Sequence, residues 1–249
     1  MAQVTENIVL EITNLHKSFG DNKVLNGFNM QLQQGETLVV MGKSGSGKSV
    51  MIKTLVGLIE PDCGVIKVMG NDIIQLNENQ LDELRAEIGF LFQGSALYDS
   101  MTVRENLEFP LRRHPKKIRK NTITEKLILE ILESVGLANT INLMPEELSG
   151  GMKRRIALAR TLILKPKIIL YDEPTSGLDP ITAKEIIQLM KEVQVKYNTT
   201  SLIITHDVDC ARVISDRMIL LIDGINYASG SFEDLANSTD EKIKAFFKQ

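Results

Sequence analysis

The sequence has few cysteines, no long apolar run and no excess of positive charge. Its two cysteines, Cys63 and Cys210, show no CxxC spacing, which argues against a disulfide framework or a zinc site and indicates a reducing compartment. No run approaches the roughly 18 consecutive apolar residues of a membrane-spanning helix, so any membrane role requires a partner. Because the formal net charge is -3, we expect no nucleic-acid partner.

Length and composition indicate a folded chain built around one main core. A chain of 249 residues suits one domain with an appended subdomain better than two independent domains. Hydrophobic residues at 43% and charged residues at 24% are typical of globular proteins. The first ten residues carry Glu6 and no basic residue ahead of their apolar positions, unlike a secretory signal. We therefore expect the chain to stay in the cytosol.

Short apolar runs predict the strands of an α/β fold. Residues 8–12 and 28–32 alternate apolar and polar side chains, which predicts an antiparallel flank. Continuous apolar runs, typical of strands buried on both faces of a parallel sheet, occur at 37–41, 88–92, 168–171, 201–205 and 218–222. Helical patterns separate several of these runs, and this order predicts a parallel α/β core.

Capping signals predict two further helices. Thr122 and Glu125 have the spacing of a capping box, and Gly136 is a stop signal, so a helix is expected from Thr122 to Val135. Asp179 followed by Pro180 predicts another helix start, with Ile186, Ile187 and Met190 facing the core.

These patterns give one domain over about 8–230 with two parts. The core takes about 8–93 and 166–230 and ends in a short strand at 225–228. The stretch of about 94–165 shows helices without strands and forms a helical subdomain. Residues 231–249 are expected to form a helical tail.

The segment from Gly42 to Ser49 matches the eight-residue phosphate loop at every fixed position, directly after a predicted buried strand. Glycines let backbone N–H groups turn toward phosphate oxygens, and the positive end of the following helix dipole adds to this attraction. Lys48 would reach the β- and γ-phosphates, and Ser49 would ligate magnesium. We assign nucleotide binding to Gly42, Lys43, Ser44, Gly45, Ser46, Gly47, Lys48, Ser49 and Val50.

Five further side chains are candidates for binding ATP and magnesium or for hydrolysing ATP. Asp172 ends an apolar run, as expected of a carboxylate that binds magnesium through water, and the adjacent Glu173 would be the general base. His206 follows the run at 201–205 and could orient the attacking water and the γ-phosphate. Gln93 could contact both magnesium and a hinge. Phe19 could stack on adenine, although core packing is an equal alternative.

Taken together, these motifs resemble the nucleotide-binding subunit of ATP-binding cassette (ABC) transporters from Ile8 to Gly230. Leu148-Ser149-Gly150-Gly151 resembles the family signature, Ser176-Gly177-Leu178-Asp179 its D-loop, Gln93 its Q-loop, His206 its switch histidine and Phe19 its A-loop aromatic. The resemblance implies a RecA-like P-loop NTPase fold with an antiparallel β flank and a helical subdomain, and ATP and Mg²⁺ as cofactors.

The resemblance also implies a head-to-tail homodimer. Each ATP would then be held by the phosphate loop of one subunit and by Ser149, Gly150, Gly151 and Asp179 of the other. The sequence is consistent with this, because Ser149 has the position of a helix N-cap and the next two N–H groups would point at a γ-phosphate.

Met152 departs from the commoner signature, in which glutamine follows the glycines, and Lys153-Arg154-Arg155 comes next. With Leu91 to Asn106, this resembles the ATPases of bacterial Mce/Mla-type phospholipid transporters. That resemblance implies an integral membrane permease, a periplasmic Mce-domain lipid-binding protein, and a peripheral location on the cytoplasmic side of the bacterial inner membrane.

Two other functions fit parts of the pattern. The ATPases of glycine betaine importers also carry methionine in this signature, but they commonly add a carboxy-terminal domain for which no room is expected after Gln249. A soluble cassette ATPase serving iron–sulfur assembly is a further alternative. A chromosome-repair ATPase is disfavoured because no heptad pattern occurs between Gln93 and Ser149. A binding module without catalysis is disfavoured because Lys48, Glu173 and His206 are all present.

Overall fold

The computed structural model describes residues 7–114 and 121–247, without the side chains of 121–123. It divides into two compact units, unit 1 from Met1–Arg85 and Thr200–Gln249 and unit 2 from Ala86–Thr199. The strands are β1 (Ile8–Phe19), β2 (Asn22–Gln33), β3 (Thr37–Met41), β4 (Cys63–Val68), β5 (Asn71–Asp72), β6 (Ile88–Leu91), β7 (Ile168–Asp172), β8 (Thr200–Thr205), β9 (Arg217–Ile222) and β10 (Ile225–Gly230). The α-helices are α1 (Lys48–Leu55), α2 (Glu78–Arg85), α3 (Val103–Arg113), α4 (Asn121–Ser134), α5 (Gly150–Leu162), α6 (Pro180–Tyr197), α7 (Val208–Ile214), α8 (Phe232–Ala236) and α9 (Glu241–Phe247).

Unit 1 contains an antiparallel sheet in the order β2-β1-β4-β5. Phe28, Met30 and Leu32 alternate with exposed residues along β2 and are buried, as the period of a strand with one covered face requires. The antiparallel flank is therefore confirmed. β1 and β2 are both longer than predicted: β1 extends to Phe19, and β2 begins at Asn22.

A second group of strands in unit 1 has the order β10-β9-β3-β8. β3 pairs in parallel with both β8 and β9, and every residue of β3 and β8 is buried. Met41 pairs with Thr205 at the carboxyl ends of these strands. The residues that follow, Gly42 and His206, therefore leave the sheet at the same edge.

The described part of unit 2 combines the parallel pair β6 and β7 with the α-helices α3, α4, α5 and α6. α5 packs against β6 and against α3, α4 and α6. A Cβ atom at Gly89 would lie 2.5 Å from Thr161 Cγ2, so this glycine allows α5 to approach β6 closely. Leu91 pairs with Tyr171, which brings Gln93 and Glu173 to the same end of the strand pair.

Most predicted elements are confirmed with small boundary shifts. The strand at 37–41 has the predicted bounds, and the other four buried strands differ from prediction by one residue at one end: β6 ends at Leu91, β7 extends to Asp172, β8 begins at Thr200 and β9 begins at Arg217. The strand predicted at 225–228 extends to Gly230, and two short helices follow it. β4, β5 and α2 were not predicted.

The helix expected at 122–135 is α4, one residue earlier at each end. Its predicted capping side chain, Thr122, lies outside the described side chains. Gly136 has a φ of 73°, a left-handed conformation that ends helices and that glycine adopts without strain.

Candidate functional site

The phosphate loop connects β3 to α1 in unit 1. Gly47 precedes the first helical residue with a φ of 102°. A Cβ atom there would lie 2.9 Å from the carbonyl oxygen of Val24, and one at Gly42 would lie 2.9 Å from that of Leu221. The loop therefore requires glycine at both positions, since it runs directly against the main chain of neighbouring strands.

Lys48 places its ammonium group inside this loop. Its side chain is buried, and Nζ donates to the carbonyl oxygens of Gly42 at 2.7 Å and Lys43 at 3.1 Å. The side-chain oxygen of Ser46 is buried and has no hydrogen-bond partner in the part of the chain that the structure describes. A buried polar atom without a partner is costly, and a phosphate group bound in the loop would supply one. Ser49, the residue after Lys48, is exposed at the start of α1.

Two other sequence-predicted residues lie in unit 1. Phe19 ends β1 and is 51% exposed, so its ring is not part of the core and core packing does not explain it. The ammonium of Lys17 lies 5.3 Å from the centre of this ring, a distance typical of a cation–π contact. His206 is exposed at the same sheet edge as Gly42.

The two candidate carboxylates lie in unit 2. Asp172 is the last residue of β7, and both it and Glu173 are buried. Glu173 has a φ of 49°, a left-handed conformation that costs a residue other than glycine about 1–3 kcal/mol and is concentrated at functional sites. Gln93 is exposed after β6, and its Nε2 donates to Ser176 Oγ at 3.3 Å. Gln93 therefore contacts the segment that follows Glu173.

The signature segment forms the start of α5. Ser149 is the N-cap, as predicted, and its Oγ accepts a hydrogen bond from the N–H of Met152 at 3.2 Å. Ser149 and Gly150 are exposed, and no acidic residue lies in the first helical turn. This helix end can therefore attract an anion through its N–H groups and its dipole.

Asp179 has a structural role in the D-loop as the N-cap of α6. Its carboxylate accepts hydrogen bonds from the N–H groups of Ile181 and Thr182 and from Thr182 Oγ1, the last at 2.6 Å. The Thr182 side chain lowers the pKa of Asp179 below its usual value, which favours the ionised form. Ile186, Ile187 and Met190 are buried along α6, as predicted.

Sequence patterns did not identify Asn106, which organises the loop at 94–102. Asn106 is fully buried and donates to the carbonyl oxygens of Tyr98, Met101 and Thr102, while its Oδ1 accepts from the N–H of Tyr98. Arg160 Nη2 donates to the carbonyl oxygen of Ser95 at 3.1 Å in the same loop. These contacts hold a segment in which Ser95 has a left-handed φ of 63°.

Replacement of Asn106 by alanine is expected to lower the free energy of unfolding by about 2–4 kcal/mol, because it removes the five hydrogen bonds of a fully buried side chain. Asn237→Ala is the matched control, since that exposed side chain makes one hydrogen bond to a main-chain oxygen. Urea unfolding of both variants measures the difference. Equal stability of the two variants would contradict the role given to Asn106.

The described residues contain no group of three or more His, Cys, Asp or Glu side chains that could hold a metal ion. Mg²⁺ is commonly bound by one or two protein ligands together with substrate phosphates, so such a cluster is not required for it. No described helix combines the length and the apolar character that crossing a membrane requires.

The known proteins that this chain resembles in sequence are ATP-binding proteins of transport systems. The sequence profile described as "ABC transporter" matches residues 25–176. The chain is 39% identical to a probable ribonucleotide transport ATP-binding protein of Mycobacterium leprae, over 96% of this chain and 68% of that protein. It is 38% identical to the intermembrane phospholipid transport system ATP-binding protein MlaF of Haemophilus influenzae, over 96% and 90% of the two chains. It is also 38% identical to the methionine import ATP-binding protein MetN of Clostridium tetani, over 97% and 75%.

Solved structures agree with this family. A dimeric ATP-binding cassette in a post-hydrolysis state, bound to ADP and Pi, matches with a TM-score of 0.81 at 33% identity, over 90% of this chain and 98% of that one. A component of an ABC transporter complex from Clostridium perfringens matches with a TM-score of 0.85 at 27% identity, over 96% and 93%. The chain spans about two thirds of the length of the mycobacterial relatives. The chain therefore belongs to the ABC transporter family and is an ATPase with the α/β cassette fold of that family.

Proposed function

We propose that this chain powers phospholipid transport as the ATPase of an Mce/Mla-type complex. The observation that carries the proposal is the similarity to MlaF, which extends over 96% of this chain and 90% of that protein. The methionine import ATP-binding protein has the same identity to this chain, but the similarity covers 75% of that protein. The stretch from Met152 to Arg155, taken together with Leu91 to Asn106, supports the same assignment.

The proposal assigns ATP binding in unit 1 to the phosphate loop and Phe19. Lys48 would exchange its contacts with the loop carbonyls for the β- and γ-phosphates, and the exposed ring of Phe19 would stack on adenine. Ser49, Asp172 and Gln93 would hold Mg²⁺, which neutralises charge on the phosphates.

Hydrolysis is assigned to Glu173 and His206. Glu173 would accept a proton from the attacking water, and its strained main chain is consistent with a side chain held in a required direction. His206 would orient the water and the γ-phosphate. Ser149, Gly150, Gly151 and Asp179 would contact the ATP bound to a second copy of the chain.

The helical subdomain of about 94–165 would transmit closure of the paired ATPases to an integral membrane permease. In its loop at 94–102 the ring of Tyr98 is exposed, and Asn106 holds that loop in place. Phe92, shortly before the loop, is also exposed. A periplasmic Mce-domain protein would handle the lipid, and the ATPase would lie at the cytoplasmic side of the inner membrane. Methionine import is the second candidate because of the similarity to MetN.

Isolation of the intact complex tests this function. An affinity tag on the chain, followed by detergent extraction of membranes and mass spectrometry, is expected to recover a permease, an Mce-domain protein and bound phospholipid. The same purification from cells that lack the permease gene is the control. Recovery of a solute-binding protein instead, with no Mce-domain protein, would contradict lipid transport and favour import of a small solute.

A further inference from the structure

Arg154 is a buried cation whose hydrogen bonds, among the residues that the structure describes, go to main-chain oxygens and not to a carboxylate. It lies on α5, one turn after Gly150, and its side chain is 4% exposed. Burial lowers the pKa of the guanidinium, although arginine stays charged in proteins. Its Nε atom is also buried and has no hydrogen-bond partner within the described ranges. Such a position is costly for a charge unless its remaining contacts compensate.

The two contacts of Arg154 join two separate segments of unit 2. Nη1 donates to the carbonyl oxygen of Phe92 at 2.8 Å, directly before Gln93. Nη2 donates to the carbonyl oxygen of Ser176 at 3.2 Å, between Glu173 and Asp179. The planar guanidinium has its donors in a fixed fork, so it sets the spacing of the two oxygens.

A third contact closes the arrangement. Gln93 Nε2 donates to Ser176 Oγ at 3.3 Å, so the two segments that Arg154 holds also contact each other. The signature helix, Gln93 and the D-loop are thereby connected through one side chain. The neighbouring Arg155 has different partners, since it contacts Glu185 and the carbonyl oxygen of Val135 and neither of these segments.

We propose that Arg154 is a positioning residue that makes the signature segment, Gln93 and the D-loop move together when ATP is bound. This inference rests on the proposed roles of those segments in ATP hydrolysis. An apolar side chain could fill the same space but could not donate to either oxygen. Lysine could donate from one point but could not fix the spacing of both oxygens.

Steady-state ATPase kinetics of the full chain test the proposal with Arg154→Lys and Arg154→Met, and Arg155→Lys as the matched control. We expect Arg154→Lys to lower kcat about 3- to 30-fold, the range found for residues that couple two sites. KM for ATP should change by less than about twofold, because Lys48 and the phosphate loop are untouched. Arg154→Met should lower kcat further, and Arg155→Lys should leave both parameters close to wild type.

Three results would overturn the inference. These are a wild-type kcat in Arg154→Lys, a change in KM alone, or an equal loss of kcat in Arg155→Lys at an equal melting temperature. If Arg154→Met does not fold, Arg154→Lys decides the question alone. The composition of the purified complex tests the proposed transport function separately, because it does not depend on kcat.

Discussion

Replacement of Glu173 by glutamine is expected to lower kcat for ATP hydrolysis by about 10²–10⁴, the usual contribution of a positioned general base. Glutamine has nearly the same size and keeps one oxygen, but it cannot accept the proton of the attacking water. The residue is buried in a left-handed main-chain conformation after β7, so its side-chain direction is restricted. ATP affinity should be retained, because the phosphate loop that binds ATP is formed by other residues and is unchanged in this variant.

The comparison requires two measurements on each protein: the steady-state release of phosphate and the affinity for Mg-ATP by calorimetry. Glu192→Gln is the matched control, since Glu192 is exposed on α6 and its replacement causes the same change of charge away from the site. Normal turnover in Glu173→Gln would remove the assignment of the general base. A large loss of ATP affinity would show that Glu173 serves binding and not proton transfer.

Gly150→Asp is expected to abolish ATP-dependent dimerisation and to lower ATPase activity by at least about 10²-fold, comparable with the loss of one preorganised anion-binding group. An added carboxylate at this helix start would lie against the γ-phosphate on the other copy of the chain. The isolated chain should remain folded, because a Cβ at Gly150 would meet, among the described residues, only Leu178 Cδ2 at 3.9 Å, and acidic residues are favourable at helix N-termini.

Gly150 is a better position for this test than Gly151. A Cβ at Gly151 would lie 2.7 Å from Thr182 Cγ2, so a substitution there would also disturb the packing of α5 on α6. Gly150→Ala is the matched control, because it adds the methyl group without the charge and should retain most of the activity. Asn237→Asp adds the same charge on an exposed surface. Full activity of Gly150→Asp would contradict the role of the signature segment.

The sequence predicted best the strands that are buried on both faces. The run at 37–41 is apolar or small throughout, and all five residues of β3 are buried, so its bounds were predicted without error. β4 was missed because it is an amphipathic strand with two of six residues buried, and its glycine weakens the pattern. α2 was missed because Leu84 is its one buried residue, which leaves almost no apolar periodicity.

The candidate site shows the same division. Phosphate-loop residues follow a fixed spacing that reflects main-chain geometry, and the positive φ at Gly47 agrees with it. Asn106 and Arg154 could not be predicted in this way. A polar residue within a helical pattern normally faces solvent. Burial of Asn106 depends on how the loop before its helix folds back, and burial of Arg154 depends on two segments distant in the chain.

The molar mass of Glu173→Gln in saturating Mg-ATP, measured by light scattering, tests most directly the claim that two copies complete each ATP site. We expect a dimer of the 27.8 kDa chain with ATP, a monomer without nucleotide, and a monomer with ATP when Gly150→Asp is added. A monomer at every ATP concentration, or a dimer that Gly150→Asp leaves unchanged, would contradict it.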